Sequence, residues 1–265
     1  MAISGSAPDA ITLRGVTKRF GEVTAVDGLS LTVPSGSIYG FIGPNGSGKT
    51  TTGRMLTGLM EPSSGAVLFG GRSIGDDPVA YRRRLGYVPE EPALYSFLSG
   101  REQLQLIGRL REIPEDVLEH RMRALLQLFG LADAAEQSIS AYSKGMKQKV
   151  LIIGALLHDP DVLIFDEPDS GLDVTAALVL RHLVHLLASR GKAVLYSSHV
   201  LEVVEKLCTR VIVLHRGRIV AEDTVDQLRT LMSHESLEQV FAQLVLETNP
   251  AQTARDIADV VAGHA

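Results

Sequence analysis

Gly43-Pro44-Asn45-Gly46-Ser47-Gly48-Lys49-Thr50 decides how the rest of this chain is read. It matches G-x-x-x-x-G-K-[ST] at every fixed position and stands between an apolar stretch, Ile38 to Ile42, and a helix-like stretch ending near Gly58. Strand, glycine-rich loop and helix in that order make a cradle for phosphate. The glycines let the backbone curl so that consecutive N–H groups point inward, and the helix start adds its partial positive charge. In that geometry Lys49 reaches the β- and γ-phosphates of a nucleotide and the Thr50 hydroxyl binds Mg²⁺. Gly43 through Thr51 are therefore the candidate nucleotide contacts: Gly43, Pro44, Asn45, Gly46, Ser47, Gly48, Lys49, Thr50 and Thr51.

A second stretch supplies the chemistry the loop lacks. VLIFDEP, Val162 to Pro168, reads as a buried strand ending in two carboxylates. At the C-terminal end of a strand both can approach one crevice: Asp166 as the partner of the metal through water, Glu167 as the group that orients and deprotonates an attacking water. Further strands are read at Ile11 to Val16, Ala25 to Val33, Ser37 to Ile42, Ala66 to Gly71 and Leu85 to Val88. Gln103 to Gly130 carries apolar residues at three- and four-residue spacing and reads as helix throughout. After Pro160 a strand (Val162 to Phe165), a helix (Val174 to Ser189, stopped by Gly191) and a strand (Ala193 to Ser197) follow one another, which indicates an α/β fold with a parallel sheet. A hairpin at Val211 to Glu222, turning at Arg216-Gly217, and a helical tail from Ser236 complete the pattern.

Composition sets the outer bounds. The 265 residues are 45% hydrophobic and 22% charged with a net charge of −5, which provides ample core and excludes disordered and fibrous classes. The longest apolar run, Val150 to Leu157, is interrupted by Gly154 and falls well short of the ~18 residues of a membrane span. The opening MAISGSAPDA has neither the basic start nor the apolar block of a signal peptide, so a cytosolic location is expected. The lone Cys208 forbids an internal disulfide and fits a reducing compartment. With an acidic balance, no nucleic-acid partner is expected. Arg82-Arg83-Arg84 reads as a solvated face, and His182 and His185 have no neighbouring ligands to make a zinc site.

Several motifs beyond these occur in a fixed order: Phe20 in KRFG, Tyr142-Ser143-Lys144-Gly145-Met146-Lys147-Gln148, Ser170-Gly171-Leu172-Asp173, and His199 in SSHV after a strand. Together with the loop and the carboxylates they resemble the ATP-binding subunits of ABC transporters over about Ile11 to Arg229. That resemblance implies a P-loop NTPase core, an N-terminal antiparallel β-subdomain and a helical subdomain inserted at about 90–158. The ATP-binding domain would span 10–230, with a helical tail at 231–265. It implies further that Phe20 stacks on adenine and that Ser143 and Gly145 contact the γ-phosphate held by an opposite subunit. Asp173 lies in the loop crossing the dimer interface, and His199 contacts γ-phosphate and braces Glu167. The catalytic set is then Glu167, His199 and Lys49, with ATP and Mg²⁺ as ligands. The implied partners are a second ATP-binding subunit, identical or related, and a separate transmembrane permease on whose cytoplasmic side the chain sits.

Two departures from the family pattern stand out. Glu90, in Tyr87-Val88-Pro89-Glu90, replaces a neutral glutamine with a carboxylate that can still supply oxygen to the metal alongside Thr50 and Asp166. In the signature, Lys144 and Met146 replace glycine and glutamine, and Lys144 adds positive charge near a phosphate site. This form, with the tail SLEQVF at Ser236 to Phe241, resembles the branch serving exporters of drugs, antibiotics, polysaccharides or ions. A GTPase is disfavoured because Asn45 and Asn249, the only asparagines, do not form the stretch that reads guanine. The alternative from another class is a soluble ABC-type ATPase working as a mechanical switch on a cytosolic assembly.

Overall fold

The computed structural model describes residues 9–232, 236–245 and 250–262. The chain opens with β1 (Asp9–Phe20) and β2 (Val23–Pro34), followed by β3 (Ile38–Ile42), the glycine loop and α1 (Lys49–Leu56). β4 (Ser64–Phe69) and β5 (Arg72–Ser73) come next, and α2 (Pro78–Arg83) leads into β6 (Leu85–Val88). The middle portion holds α3 (Gly100–Leu110), α4 (Glu115–Leu128) and α5 (Lys144–Leu156). Then come β7 (Val162–Asp166), α6 (Val174–Ser189), β8 (Ala193–Ser197), α7 (Leu201–Leu207), β9 (Arg210–His215) and β10 (Arg218–Asp223). The last described helices are α8 (Val225–Met232), α9 (Leu237–Val245) and α10 (Pro250–Val261).

The central sheet has the order β10-β9-β3-β8-β7-β6 and is parallel except for β10. Its inner strands are apolar along most of their length, with polar residues confined to their ends, because both faces are covered, and alternate side chains serve opposite cores. Ile38, Ile42, Leu163, Phe165, Val194 and Tyr196 face one side, packed with Leu180 and Val184 of α6 and Val204 of α7. Tyr39, Phe41, Val162, Ile164, Ala193 and Leu195 face the other, packed with Met55 and Leu56 of α1 and with Val16 and Val26. Those last two belong to the antiparallel sheet β2-β1-β4-β5, so the second core lies between the two sheets. Gly40 sits where α7 crosses β3: a Cβ there would come within 2.5 Å of Val204 Cγ1 and 3.1 Å of Cys208 Sγ.

The helical reading of Gln103 to Gly130 needs one correction. The apolar spacing runs on, but the chain breaks between α3 and α4, where Glu112 takes φ 56° and Pro114 precedes the first residue of α4. Proline has no N–H for a continuing helix, and the break lets α4 fold back on α3. A third core follows, with Leu104, Leu118, Met122, Leu126, Val150 and Ile153 contributed by α3, α4 and α5. α3 begins with a capping box, Ser99 and Glu102 each accepting the other's backbone N–H. At the other end of the chain, α9 buries Leu237 and Val240 in the first core, and Glu205 of α7 takes both Arg229 of α8 (3.3 Å) and the Leu237 N–H (3.4 Å). The helical tail expected from Ser236 is thus α9, built into the body, and α10.

Candidate active site

Three adjacent strands, β3, β8 and β7, end at the same edge of the sheet, and each delivers a functional loop there. This is the crevice outside the carboxyl ends of parallel strands, where α/β folds place their ligands. A cavity of about 890 Å³ opens at that edge. It is lined by Gly43, Pro44, Asn45, Gly46, Gly48, Lys49, Thr50 and Thr51 from the loop, by Glu90 beyond β6, by Asp166 and Glu167 from β7, and by Ser198 and His199 after β8. The sequence separates these groups by up to 156 positions; the topology brings them to one mouth.

The loop requires its glycines. Gly46 and Gly48 have φ 77° and 104°, left-handed values that suit no side chain well. A Cβ on Gly43 would lie 2.5 Å from the Leu214 carbonyl, and one on Gly48 would lie 2.7 Å from that of Ala25. The loop is therefore squeezed between β9 and the start of β2. α1 begins at Lys49, so its first-turn N–H groups have no intrahelical acceptor and face the loop's concavity. Ser47 and Thr52 are buried, and their hydroxyl oxygens find no protein partner among the described residues. The Lys49 ammonium donates to the carbonyls of Gly43 and Pro44, the latter at 3.1 Å. Burial lowers its pKa, opposed by the nearby carboxylates of Glu167, Asp166 and Glu90. Backbone donors and a half-buried ammonium suit a polyphosphate.

Glu167 occupies an unusual turn. It is a non-glycine residue with φ 49°, its N–H donates to the Ser197 carbonyl (3.1 Å) and its own carbonyl accepts from the Ser170 N–H (3.1 Å). Such a conformation persists only when its surroundings over-determine it. The side chain is 13% exposed, and its Oε2 lies 2.7 Å from Nδ1 of His199, whose ring is 78% exposed. Burial raises the Glu167 pKa above the usual carboxylate value, partly offset by the favourable interaction with His199. A carboxylate raised in this way and oriented by an imidazole has the makings of a general base. Its neighbour Asp166 accepts a hydrogen bond from the Ser197 hydroxyl, which fixes one carboxylate oxygen. Two residues on, Asp169 Oδ2 accepts from the Tyr196 hydroxyl (2.7 Å) and faces Arg181 of α6 (3.4 Å), pinning the turn from behind.

Five of the candidate site residues singled out in the sequence do not line this cavity: Ser47, buried within the loop, and Phe20, Ser143, Gly145 and Asp173. Phe20 ends β1, is 48% exposed, and carries the Lys18 ammonium 5.4 Å from its ring centroid. Ser143 caps α5 by accepting the Met146 N–H (3.2 Å), and Gly145 follows in the first turn. Asp173 caps α6 through the Ala176 N–H (2.9 Å). Conversely, Ala25 and Leu201 line the cavity without any local sequence signal; Phe241, the last residue of the SLEQVF stretch, also lines it, arriving on α9, packed beside α7. Ser197 and Asp169 had a signal in their neighbours, SSHV and DEP, but the contacts that matter are between strands.

A family model described as ABC transporter matches residues 26–170. The ABC transporter ATP-binding protein NatA of Bacillus subtilis is 36% identical over 236 residues, 87% of this chain and 96% of the relative. A daunorubicin resistance ATP-binding protein of Streptomyces coeruleorubidus is 35% identical over 237 residues, 89% of this chain and 75% of that one. Among solved structures, an ATP-binding subunit of an ABC transporter superposes with a TM-score of 0.84 at 33% identity, covering 89% of this chain and 99% of that one. A phosphate loop, a paired carboxylate strand and these likenesses lead to one assignment: the chain belongs to the ABC transporter family, as an ATP-binding subunit with ATPase chemistry coupled to transport.

Proposed function

We propose that two ATP-binding subunits, two copies of this chain or this chain and a relative, close face to face around ATP and open again on hydrolysis, driving export through a separate membrane subunit. The carrying observation is the division of polar groups between two surfaces. Lys49, Glu167 and His199 share the cavity, whereas Ser143 and Gly145 stand at the exposed start of α5 outside it. The start of a helix is an anion site, and a γ-phosphate offered by a second chain is an anion it can take. In the closed pair the Lys49 ammonium and the loop N–H groups hold the phosphates, with Phe20 beside the base. Glu167, oriented by His199, accepts a proton from the attacking water. Thr50, Asp166 and Glu90 would hold Mg²⁺, which supplies charge neutralisation on the phosphate oxygens. Asp173, at the turn between Glu167 and α6, would lie at the junction.

No helix among the described residues is long and apolar enough to cross a membrane, so a transport role calls for a second protein. Tyr95 and Phe97, 54% and 76% exposed with rings 5.7 Å apart, border a groove with Leu98 and Leu106 between the segment leading into α3 and α3 itself. An aromatic-rimmed groove suits a cytoplasmic helix of the membrane subunit and would hold the chain on the inner membrane face. Export is favoured by the drug-resistance relative. The test is Glu167→Gln: ATP affinity is retained, hydrolysis is nearly abolished, and an ATP-dependent species of twice the mass accumulates in sedimentation. Normal turnover by that variant removes Glu167 from its role, and a persistently monomeric ATP-bound chain removes the dimer.

A further inference from the structure

The sequence places Lys144 beside a phosphate site, but the fold turns its ammonium elsewhere. Residues 144, 145, 148 and 149 lie on one face of α5, as helical spacing requires, and that face meets the turn 168–173 of the same chain. Lys144 Nζ donates to Ser170 Oγ at 2.7 Å, and Gln148 Nε2, almost wholly buried, donates to the Pro168 carbonyl at 3.0 Å. Between them the backbones touch: a Cβ on Gly145 would sit 2.5 Å from the Gly171 carbonyl oxygen. Gly171 has φ 81°, and a Cβ there would meet Lys144 Cγ at 2.7 Å, so the lysine stem lies flat over it. The far side of the turn is pinned by Tyr196 and Arg181 through Asp169.

Ser170 is thus held twice. Its hydroxyl takes the Lys144 ammonium, and its N–H donates to the carbonyl of Glu167, whose left-handed backbone needs such restraint. One residue before Lys144 stands Ser143, which the proposed dimer presents to the partner's nucleotide. We propose that Lys144 is a positioning residue that ties the partner-facing start of α5 to the turn carrying this chain's own Glu167, so that docking on the partner's γ-phosphate sets Glu167 for hydrolysis. The inference rests on the proposed dimer and adds to it an intramolecular path between the two nucleotides. Coupling between sites needs a physical element that both bias, and this face of α5 contacts both.

The test uses the full chain with Lys144→Met, which keeps the apolar stem and loses the donor, with Ser170→Ala, which loses the acceptor, and with the pair combined. In a Glu167→Gln background, ATP-driven dimerisation of all three stays within about twofold of the parent. In the otherwise unchanged chain, kcat falls about five- to tenfold with KM for ATP nearly constant, and the double variant is no worse than either single one. Lys144→Arg, which keeps a donor, recovers most of the loss. Unchanged turnover in Lys144→Met, additive losses, or weakened dimerisation in Lys144→Met but not Ser170→Ala would overturn the tether. The last result would instead make the ammonium a direct phosphate contact. Failure of Glu167→Gln alone to dimerise is read separately, and it removes the proposed dimer and this inference with it.

Discussion

Replacing Tyr196 by phenylalanine isolates one hydrogen bond behind the catalytic turn. The ring is fully buried and stands 6.1 Å from that of Phe165, so phenylalanine keeps the packing and removes only the hydroxyl. What is lost is the 2.7 Å bond to Asp169 Oδ2, whose other oxygen is already buried without a protein partner among the described residues. Arg181, 3.4 Å away on the same oxygen, is too distant to replace it fully. A hydrogen bond to an ionised group contributes about 1.5–3 kcal/mol, and the buried carboxylate left behind places the cost toward the middle of that range, about 2 kcal/mol. For a chain of this size that corresponds to a fall of roughly 4–8 °C in Tm. Urea unfolding should show a lower midpoint with an unchanged slope, because the surface exposed on unfolding is the same. ATP affinity should hold, since the phosphate loop is untouched, while turnover drops through the loosened turn. A Tyr196→Phe variant within about 0.5 kcal/mol of the parent would refute the reasoning, showing that Arg181 alone satisfies Asp169.

Other expectations follow from the same contacts. Gly40→Ala should destabilise by about 1–3 kcal/mol, because the new methyl meets Val204 and Cys208 in a closed core, whereas Gly53→Ala, in α1 with nothing within 4 Å of its Cβ, should stabilise by up to about 1 kcal/mol. Paired denaturation curves decide, and equal effects would remove the close-packing argument. His158, between α5 and β7, has its pKa lowered to about 4, first by burial and then by the Arg111 charge. Its folded value lies below the unfolded one of about 6.5, so the unfolded chain takes up the proton first; stability present above about pH 6.5 is lost as the pH falls toward 4. His158→Gln should therefore lose less stability than the parent between pH 7.5 and 5, measured by urea midpoints. Identical losses would show that His158 does not carry this dependence.

What the sequence disclosed depended on how local the encoding is. Gly43 through Thr51 were legible because the glycine spacing itself builds the curl, and Asp166 and Glu167 because a strand end fixes where adjacent side chains emerge, whereas His199 was reached only through the ordered motifs of the family the chain resembles. The break before Pro114 was masked by apolar spacing that continues across it, although the proline was the available signal. Lys144 could be read only as a charge; its partner lies 26 residues away on a turn whose course depends on Asp169, Tyr196 and Arg181. Ala25 carries no pattern and Phe241 showed only as the end of SLEQVF, with nothing to place it at the cavity, because only packing of β2 and α9 against the loop edge brings them there. Phe20 shows the opposite case: a motif position whose ring, in the single chain, is set by its hairpin and Lys18 rather than by the cavity.

The charges in the cavity bear on the proposed dimer. Glu90, Asp166 and Glu167 outnumber Lys49, so the potential there opposes a triphosphate unless positive charge is brought in. The α1 start offers the equivalent of about half a charge, and the loop N–H groups add directed donors. A divalent cation held among the carboxylates would reverse their repulsion and make Glu90 an asset. Beyond Lys49 and His199, no basic side chain lines the cavity. In the proposed pair, the start of α5 from a second chain would provide the same half-charge from the opposite direction, and Ser143 a hydroxyl. Closure of that pair would be the electrostatic completion of the site, conditional on the terminal phosphate. A chain whose own signature stood inside its own cavity would bind ATP more tightly alone and could do no mechanical work with it.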